Sequence, residues 1–201
     1  MPLPSPPCER TPQHQRQVTY RSYARADGLW DIEGELIDTK TADLYQSDGQ
    51  LRLRAGSPLH HMQIRVTIDP QLQVHALEAS MEAHPLHNCP GALAAMQRMV
   101  GTSMRKGWRK SIDTHLAGIA GCTHMRELLL NMATAAFQSI TSAFTSSTDQ
   151  PPVYAGRCTG WDFNGPAIAE HFPQFVGWIL PAGESAAQPP AAHNDPAPPP
   201  T

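Results

Sequence analysis

The sequence predicts an α+β fold, in which an N-terminal antiparallel sheet is followed by a C-terminal helical layer within a single domain. Three observations predict it. Apolar and polar residues alternate in the first half of the chain, apolar residues recur at helical spacing in the second half, and proline-rich segments occupy both ends. Strands and helices that are segregated along a chain are typical of α+β proteins.

The chain of 201 residues is long enough for one domain with a substantial hydrophobic core. Residues 1–16 and 182–201 are rich in Pro, Ser, Gln and Ala and hold few large apolar side chains. Such segments bury too little apolar surface to offset the entropy of the chain, so we predict that both are disordered tails. The predicted folded domain therefore covers residues 17–181.

Three strands are predicted in the first half. In residues 30–36 every second residue is apolar, apart from Gly34, so the intervening carboxylates point to the opposite side of the strand. Residues 60–69 repeat this alternation, and a third strand is predicted over residues 72–81, after the turn at Asp69-Pro70. Because the connections are short, we predict an antiparallel sheet with one solvent-exposed face.

Two helices are predicted in the second half, over residues 91–104 and 123–143. The apolar residues at helical spacing in the second of these are Met125, Leu128, Leu129, Met132, Ala136 and Ile140. A last short element at residues 172–180 is predicted without a class.

The composition disfavours two classes of partner. With 15 basic and 18 acidic side chains the net charge is −3, which is not typical of a general nucleic-acid-binding protein. No run approaches the roughly 18 consecutive apolar residues that a membrane helix needs, and the N-terminus lacks the pattern of a secretory signal peptide. We therefore expect a cytoplasmic protein that binds neither nucleic acid nor membranes.

Thiols stay reduced in the cytoplasm, so we interpret the cysteines as metal ligands, nucleophiles or packed residues rather than as a disulfide framework. Cys122 directly precedes the second predicted helix, with Thr123 as the predicted N-cap. The positive end of a helix favours a thiolate, which suits a nucleophile or a metal ligand. His124, in the first turn, can point toward the same space.

Two more cysteines extend this candidate site. Cys89 lies where the last predicted strand meets the first predicted helix, and Cys158 follows the last long helix. If these junctions meet at one end of the sheet, three thiolates and the imidazole of His124 form a ligand set suited to tetrahedral zinc or an iron-sulfur cluster. The chain has no Cys-x-x-Cys motif, so this prediction requires the sulfurs to converge to within about 4 Å. His84 and His87 are alternative ligands.

The polar face of the sheet is the second candidate site. Asp31 and Glu33 on the first predicted strand could oppose His61 and Arg65 on the next, and such a pairing can supply a general acid or base. The alternative is a solvated face whose cross-strand ion pairs contribute little to stability. Alternation sends His60 to the apolar side, as a core residue with a satisfied hydrogen bond.

A basic stretch at residues 105–110 surrounds Trp108 and could bind a phosphate or stack a base. We favour the interpretation of a solvated loop in which Trp108 is anchored inward.

Several motifs also resemble a known family when they are taken in order. They are DGLWDIEG at residues 27–34, HHM at 60–62, Cys89-Pro90, GCTH at 121–124 and AFQ at 136–138. Over residues 18–138, and more loosely through Cys158, the chain resembles a bacterial family of domains of unknown function. The resemblance implies that these motifs belong together, and it implies no activity or substrate. The family is expected to have an acidic residue at position 61, where it would act in catalysis or pair with Arg65, and this chain has His61 instead.

In outline, an antiparallel sheet followed by helices, with separated cysteines at the junctions, is also similar to iron-sulfur scaffold proteins, which bind zinc or a nascent cluster. The leading hypothesis is thus an accessory or carrier protein that binds a transition metal or a cluster through Cys89, Cys122, His124 and Cys158. The alternative is an enzyme acting on a small carbonyl or thioester metabolite of a catabolic pathway, with Cys122 as nucleophile or Asp31 and Glu33 as acid and base. A non-catalytic binding module is the third hypothesis. The expected partner is a small metabolite or a partner enzyme.

Overall fold

The computed structural model describes residues 2–105, 107–140 and 149–180. Contacts divide the chain into two units, Met1–Ala143 and Phe144–Thr201. The predicted tail at 182–201 lies outside the described residues, and the single domain predicted over 17–181 stays a prediction.

A four-stranded antiparallel sheet forms the first part of the chain, with strand order β1-β2-β5-β6. Helices follow it, which confirms the predicted α+β fold. A small ribbon, β3-β4, is inserted between β2 and β5. The strands are β1 (His14–Ala24), β2 (Trp30–Lys40), β3 (Leu44–Tyr45), β4 (Leu51–Leu53), β5 (Pro58–Ile68) and β6 (Val74–Ala83).

The sequence did not predict β1, which is an edge strand and begins at His14 rather than after the predicted start of the domain at Gln17. Its residues are polar on both faces except for Val18, Ala24 and the tyrosines, because an edge strand leaves much of its surface in water. The alternation that marked β2 and β5 is therefore weak in β1.

Four α-helices are described: α1 (Leu93–Met96), α2 (Trp108–Leu116), α3 (Thr123–Ile140) and α4 (Pro166–His171). The start predicted for α3 is confirmed, and its predicted end at residue 143 lies outside the described residues.

The continuous helix predicted over residues 91–104 is wrong. This segment consists of short 3-10 turns around the four-residue α1, and the chain becomes extended at Val100 before Gly101 adopts a positive φ of 83°. Pro90 and Gly101 limit helix length at either end. Helix α2 was not predicted, although its buried Trp108, Ile112 and Leu116 recur every fourth residue between charged neighbours.

Helix α3 covers one face of the sheet. Its buried side chains pack against the inward residues of β2 and β5, such as Ile32, Leu36 and Met62. At Gly34 a Cβ atom would lie 3.1 Å from the side chains of Leu128 and Met132, so a glycine at this position lets the helix approach the strand closely. Trp108 is anchored inward as expected, since its indole Nε1 donates to the carbonyl of Leu129. The loop predicted around it is wrong from Trp108 onward, because Trp108 begins α2.

The second unit has its own small core of Ala155, Phe163, Ile168 and Phe175. The predicted element at 172–180 is a 3-10 turn, Pro173–Phe175. Among the described residues of both units, no helix has the length and hydropathy needed to cross a membrane.

Candidate metal centre

The centre begins with a carboxylate on the covered face of the sheet. Ile32, Gly34 and Leu36 alternate toward α3, and Asp38 is next in phase, so its side chain also points inward. Only 2% of that side chain is exposed. The antiparallel register places Asp38 opposite His60 of β5.

Both oxygens of the Asp38 carboxylate have partners. Arg16 donates from Nε to Oδ1 at 2.8 Å and from Nη2 to Oδ2 at 2.9 Å. His14 Nε2 lies 3.0 Å from Oδ1, and His60 Nδ1 lies 3.0 Å from Oδ2. Arg16 also donates to Glu127 of α3 at 2.7 Å, so it joins the carboxylate of the sheet to the first turns of the helix.

His124 completes the group from α3. Its Nε2 atom lies 3.9 Å from Asp38 Oδ2, and its ring lies against that of His60 with a centroid distance of 4.0 Å. On the other side of the ring, Nδ1 is 3.8 Å from Cys122 Sγ. The carbonyl of Cys122 accepts the N–H of Arg126, so Cys122, and not the predicted Thr123, caps the helix.

The electrostatics keep the carboxylate ionised. Burial raises the pKa of Asp38, but the hydrogen bonds and charges of Arg16 and His14 outweigh it and hold that pKa at about 2, below its usual 3.8. Burial lowers the pKa of His60, and the charges of Arg16 and His14 lower it further against the pull of Asp38. Burial also lowers the pKa of His124, with added repulsion from His60 and Arg16. Near neutral pH the group is thus one carboxylate with two uncharged imidazoles.

This arrangement fits a metal ion. One ligand atom from each of Asp38, His60 and His124 lies within 4.8 Å of the others. Two atoms bound to one zinc ion at about 2.0–2.2 Å and a tetrahedral angle are roughly 3.4 Å apart. The 3.0 Å between His60 and Asp38 and the 3.9 Å between His124 and Asp38 lie on either side of that distance.

The three predicted cysteine ligands lie in different parts of the structure. Cys122 lies beside the group, half-buried, through its contact with His124. Cys89 begins a 3-10 turn after β6, and Cys158 lies in the second unit. All are free thiols. Among the described residues, the group of candidate ligands within 4.8 Å contains no cysteine, and the convergence of the three sulfurs stays a prediction.

The second predicted site, on the open face, forms cross-strand ion pairs. Glu33 and Arg65 are direct neighbours in the register, with nitrogen-oxygen distances of 2.8–2.9 Å, and Arg65 also binds Glu78. Asp31 accepts from Thr67 and Arg25.

His61 lies between two carboxylates, 3.0 Å from Glu35 and 3.0 Å from Glu82. A shallow depression of about 330 Å³ runs over this face, and Arg21, Glu33, Gln63 and Arg65 are among its lining residues. A catalytic role for this face stays a prediction.

Asp38 was not among the predicted site residues, and His60 was predicted only as a core residue. The inward direction predicted for His60 is confirmed, since it is buried. The signal for Asp38 was the alternation itself: continued by one step beyond Leu36, it places an acid among apolar neighbours, where a buried charge requires a partner.

One family model covers the sheet and the start of α3, and so includes the residues of the candidate metal centre. The sequence model of the family "Protein of unknown function (DUF2889)" matches residues 14–138. The chain belongs to this family. The match begins at the first residue of β1, ends within α3, and includes Asp38, His60, Cys122 and His124, but not Cys158. No curated protein and no solved structure matches the chain.

Proposed function

We propose that this protein binds one divalent transition-metal ion through Asp38, His60 and His124 and serves in an accessory or carrier role. The observation that carries the proposal is the convergence of one ligand atom from each of β2, β5 and α3 within 4.8 Å. The cytoplasmic location that the sequence predicts is proposed together with this role. A small metabolite or a partner enzyme is the partner proposed for this role.

The ligand types favour zinc or another first-row transition metal. Two imidazoles and one carboxylate suit Zn²⁺ and Fe²⁺, whereas Ca²⁺ and Mg²⁺ prefer ligand sets made of oxygen. Three protein ligands leave at least one coordination position for water or a small molecule, as in catalytic rather than structural zinc sites. An iron-sulfur cluster would instead require the cysteines to converge.

The surrounding residues would orient these ligands. In the metal-free protein His60 Nδ1 donates to Asp38 Oδ2, because a carboxylate can only accept. Binding through Nδ1 would place the ion where that proton lies, and the proton would move to Nε2. Arg16 and His14 would keep holding the carboxylate, and such outer contacts typically change metal affinity by 10–100-fold.

The test is a zinc titration of chelator-treated protein, followed by calorimetry. We expect one ion per chain, and at least a ~100-fold loss of affinity in His60→Gln and in His124→Gln, because direct ligands matter no less than their supports. His75→Gln is the matched control: His75 also pairs with an aspartate, Asp69, at 2.9 Å, but among the described residues it belongs to no group of three candidate ligands. Equal affinities in all four proteins, or a folded wild type that binds no zinc, would refute the proposal.

Cobalt distinguishes this centre from the predicted cysteine site. Bound Co²⁺ gives an intense sulfur-to-metal charge-transfer band only where thiolates are ligands. We expect no such band, and unchanged affinity in a Cys89→Ser, Cys158→Ser double variant. A strong band that disappears in the double variant would favour the cysteine ligand set instead.

A second candidate function has its own observation. Cys122 Sγ, His124 and Asp38 lie in the order thiol, imidazole, carboxylate, with separations of 3.8 and 3.9 Å around the His124 ring. Nucleophilic enzymes use this order, in which the imidazole takes the thiol proton and the carboxylate orients the ring. The substrate class would be a small thioester or activated carbonyl compound.

Incubation with an acyl thioester tests this alternative. Attack by the sulfur would transfer the acyl group to Cys122 and release the free thiol of the substrate, with the proton of Cys122 passing through His124 to that thiol. A mass increase of one acyl group on the wild type, absent in Cys122→Ala, would support the enzyme. No adduct on either protein would remove it.

A further inference from the structure

Strand β1 leaves one edge of the sheet open. It pairs with β2 in continuous register over all eleven residues, without a bulge. Among the backbone hydrogen bonds of the described residues, none joins the outer edge of β1 to another segment. Edges of this length are usually shortened, bulged or interrupted by proline, because they can pair with another chain.

The direction of the free groups follows from the hairpin. Arg25 N–H donates to the carbonyl of Leu29, the residue before β2. Since every second residue of an antiparallel strand points its N–H and C=O the same way, the odd-numbered residues of β1 face β2. The even-numbered residues, including Val18 and Tyr20, present theirs to the open edge.

We propose that two copies of the chain pair through β1, antiparallel about a two-fold axis at Thr19, to form a continuous eight-stranded sheet. Full overlap of the two strands brings His14 of one copy opposite Ala24 of the other, and each even-numbered residue then faces an even-numbered residue. The free N–H and C=O groups therefore meet in hydrogen-bonded pairs, as a ladder requires. Closed two-fold pairing of this kind is the commonest form of homo-oligomer.

The side chains of this register are complementary. On the covered side Val18, 40% exposed in the single chain, faces Tyr20, and Arg16 faces Ser22. On the open side Arg21 faces Gln17, and the two Thr19 side chains meet on the axis. Aromatic with β-branched pairs and threonine pairs are favourable across strands, and no like charges lie directly opposite each other.

The charges of β1 do not block this pairing. Arginines on an edge strand commonly prevent association. Arg16, however, is bound within its own chain by Asp38 and Glu127, and Arg21 lies 3.7 Å from Glu35. The strand contains no acid and no proline.

Light scattering coupled to size exclusion, over a concentration series of the full chain, tests the proposal. We expect twice the chain mass for the wild type and for Thr19→Val, which keeps a β-branched residue on the axis. Thr19→Lys places two cations opposite each other, and Val18→Pro removes a donor from the open edge without touching the bonds to β2. Both should give a monomer with an unchanged circular dichroism spectrum.

A wild type that stays monomeric at every concentration would overturn the proposal, as would a dimer that persists in both variants. If Val18→Pro fails to fold, Thr19→Lys alone decides, because its substitution alters no backbone donor. Zinc affinity should be the same in Thr19→Lys and wild type, since Thr19 contacts none of the candidate ligands.

Discussion

Strand β2 carries acidic side chains on both of its faces, and the two faces treat them differently. Glu33 on the open face is 30% exposed and pairs with an arginine that is half in water. Asp38 on the covered face is 2% exposed and is surrounded by Arg16, His14 and His60. The two carboxylates are five positions apart on one strand. Their exposed fractions differ because α3 covers only the face that carries Asp38.

The comparison shows how burial changes the role of the same chemical group. Water screens the ion pair between Glu33 and Arg65, so this pair contributes little to the stability of the fold. A carboxylate removed from water needs full compensation by cations and hydrogen bonds, and this need draws three basic side chains to one point. An ionised carboxylate and uncharged imidazoles are also ligands that transition metals bind.

Among the changes that test this comparison, Asp38→Asn should have the largest effect on the free energy of unfolding. The neutral amide keeps the shape of the side chain but removes the buried counter-charge of Arg16, which is 33% exposed and keeps its bond to Glu127. We therefore expect the metal-free protein to lose about 3 kcal/mol of unfolding free energy, the lower end of the range for a broken buried pair. Urea unfolding followed by circular dichroism measures it. A loss below about 1 kcal/mol would show that Asp38 behaves like an exposed acid.

Acidification should destabilise the metal-free protein by a smaller amount, in two stages. The pKa values of His60 and His124 lie below their usual 6.5, so the unfolded chain takes up protons first as the pH falls through 6.5. The pKa of Asp38 is lowered from 3.8 to about 2, so its contribution is present above pH 3.8 and is lost as the pH falls through 2.

Urea unfolding at a series of pH values checks this, with roughly 2 kcal/mol expected from Asp38. The stage between pH 3.8 and 2 should become smaller in Asp38→Asn, which has no carboxyl to titrate at that position. An equally large loss in wild type and variant over this range would assign it to other groups.

Gly34→Ala should cost about 1 kcal/mol, because the added methyl group meets Leu128 and Met132 at 3.1 Å and these flexible side chains can shift only in part. Thermal unfolding is a suitable measurement. Gly91→Ala is the matched control, since its added Cβ has no atom within 4 Å, and it should be neutral or slightly stabilising.

Glu33→Gln should have the smallest effect, less than about 1 kcal/mol on stability, because the ion pair with Arg65 is exposed to water. A double-mutant cycle with Arg65→Gln measures the coupling directly. The substitution should leave zinc affinity unchanged. A loss of zinc affinity comparable to that of His60→Gln would mean that the open face takes part in binding.

Particular residues show how much could be predicted from sequence. Alternation in β2 and β5 was strong enough to predict their faces, including the inward direction of His60 and the placement of Glu33 and Arg65 on the same open face. The register of the two strands, which pairs Glu33 with Arg65, was not predicted. The polar edge strand β1 and the short helix α2 carried weaker patterns, and neither was predicted. Of the candidate metal centre, the sequence singled out His124 at the start of α3, with Cys122 beside it, and a role for either residue stays a prediction.

The sequence by itself determined the α+β class, the two faces of the sheet and the position of a histidine and a cysteine at one helix end, because these depend on periodicity and on neighbours along the chain. Only the tertiary structure decided which distant residues meet. Asp38 reaches His60 through the register of two antiparallel strands, and His124 reaches both through the packing of α3 on the sheet at Gly34. These contacts join residues that are far apart in the sequence, so the spacing of residues along the chain cannot predict them.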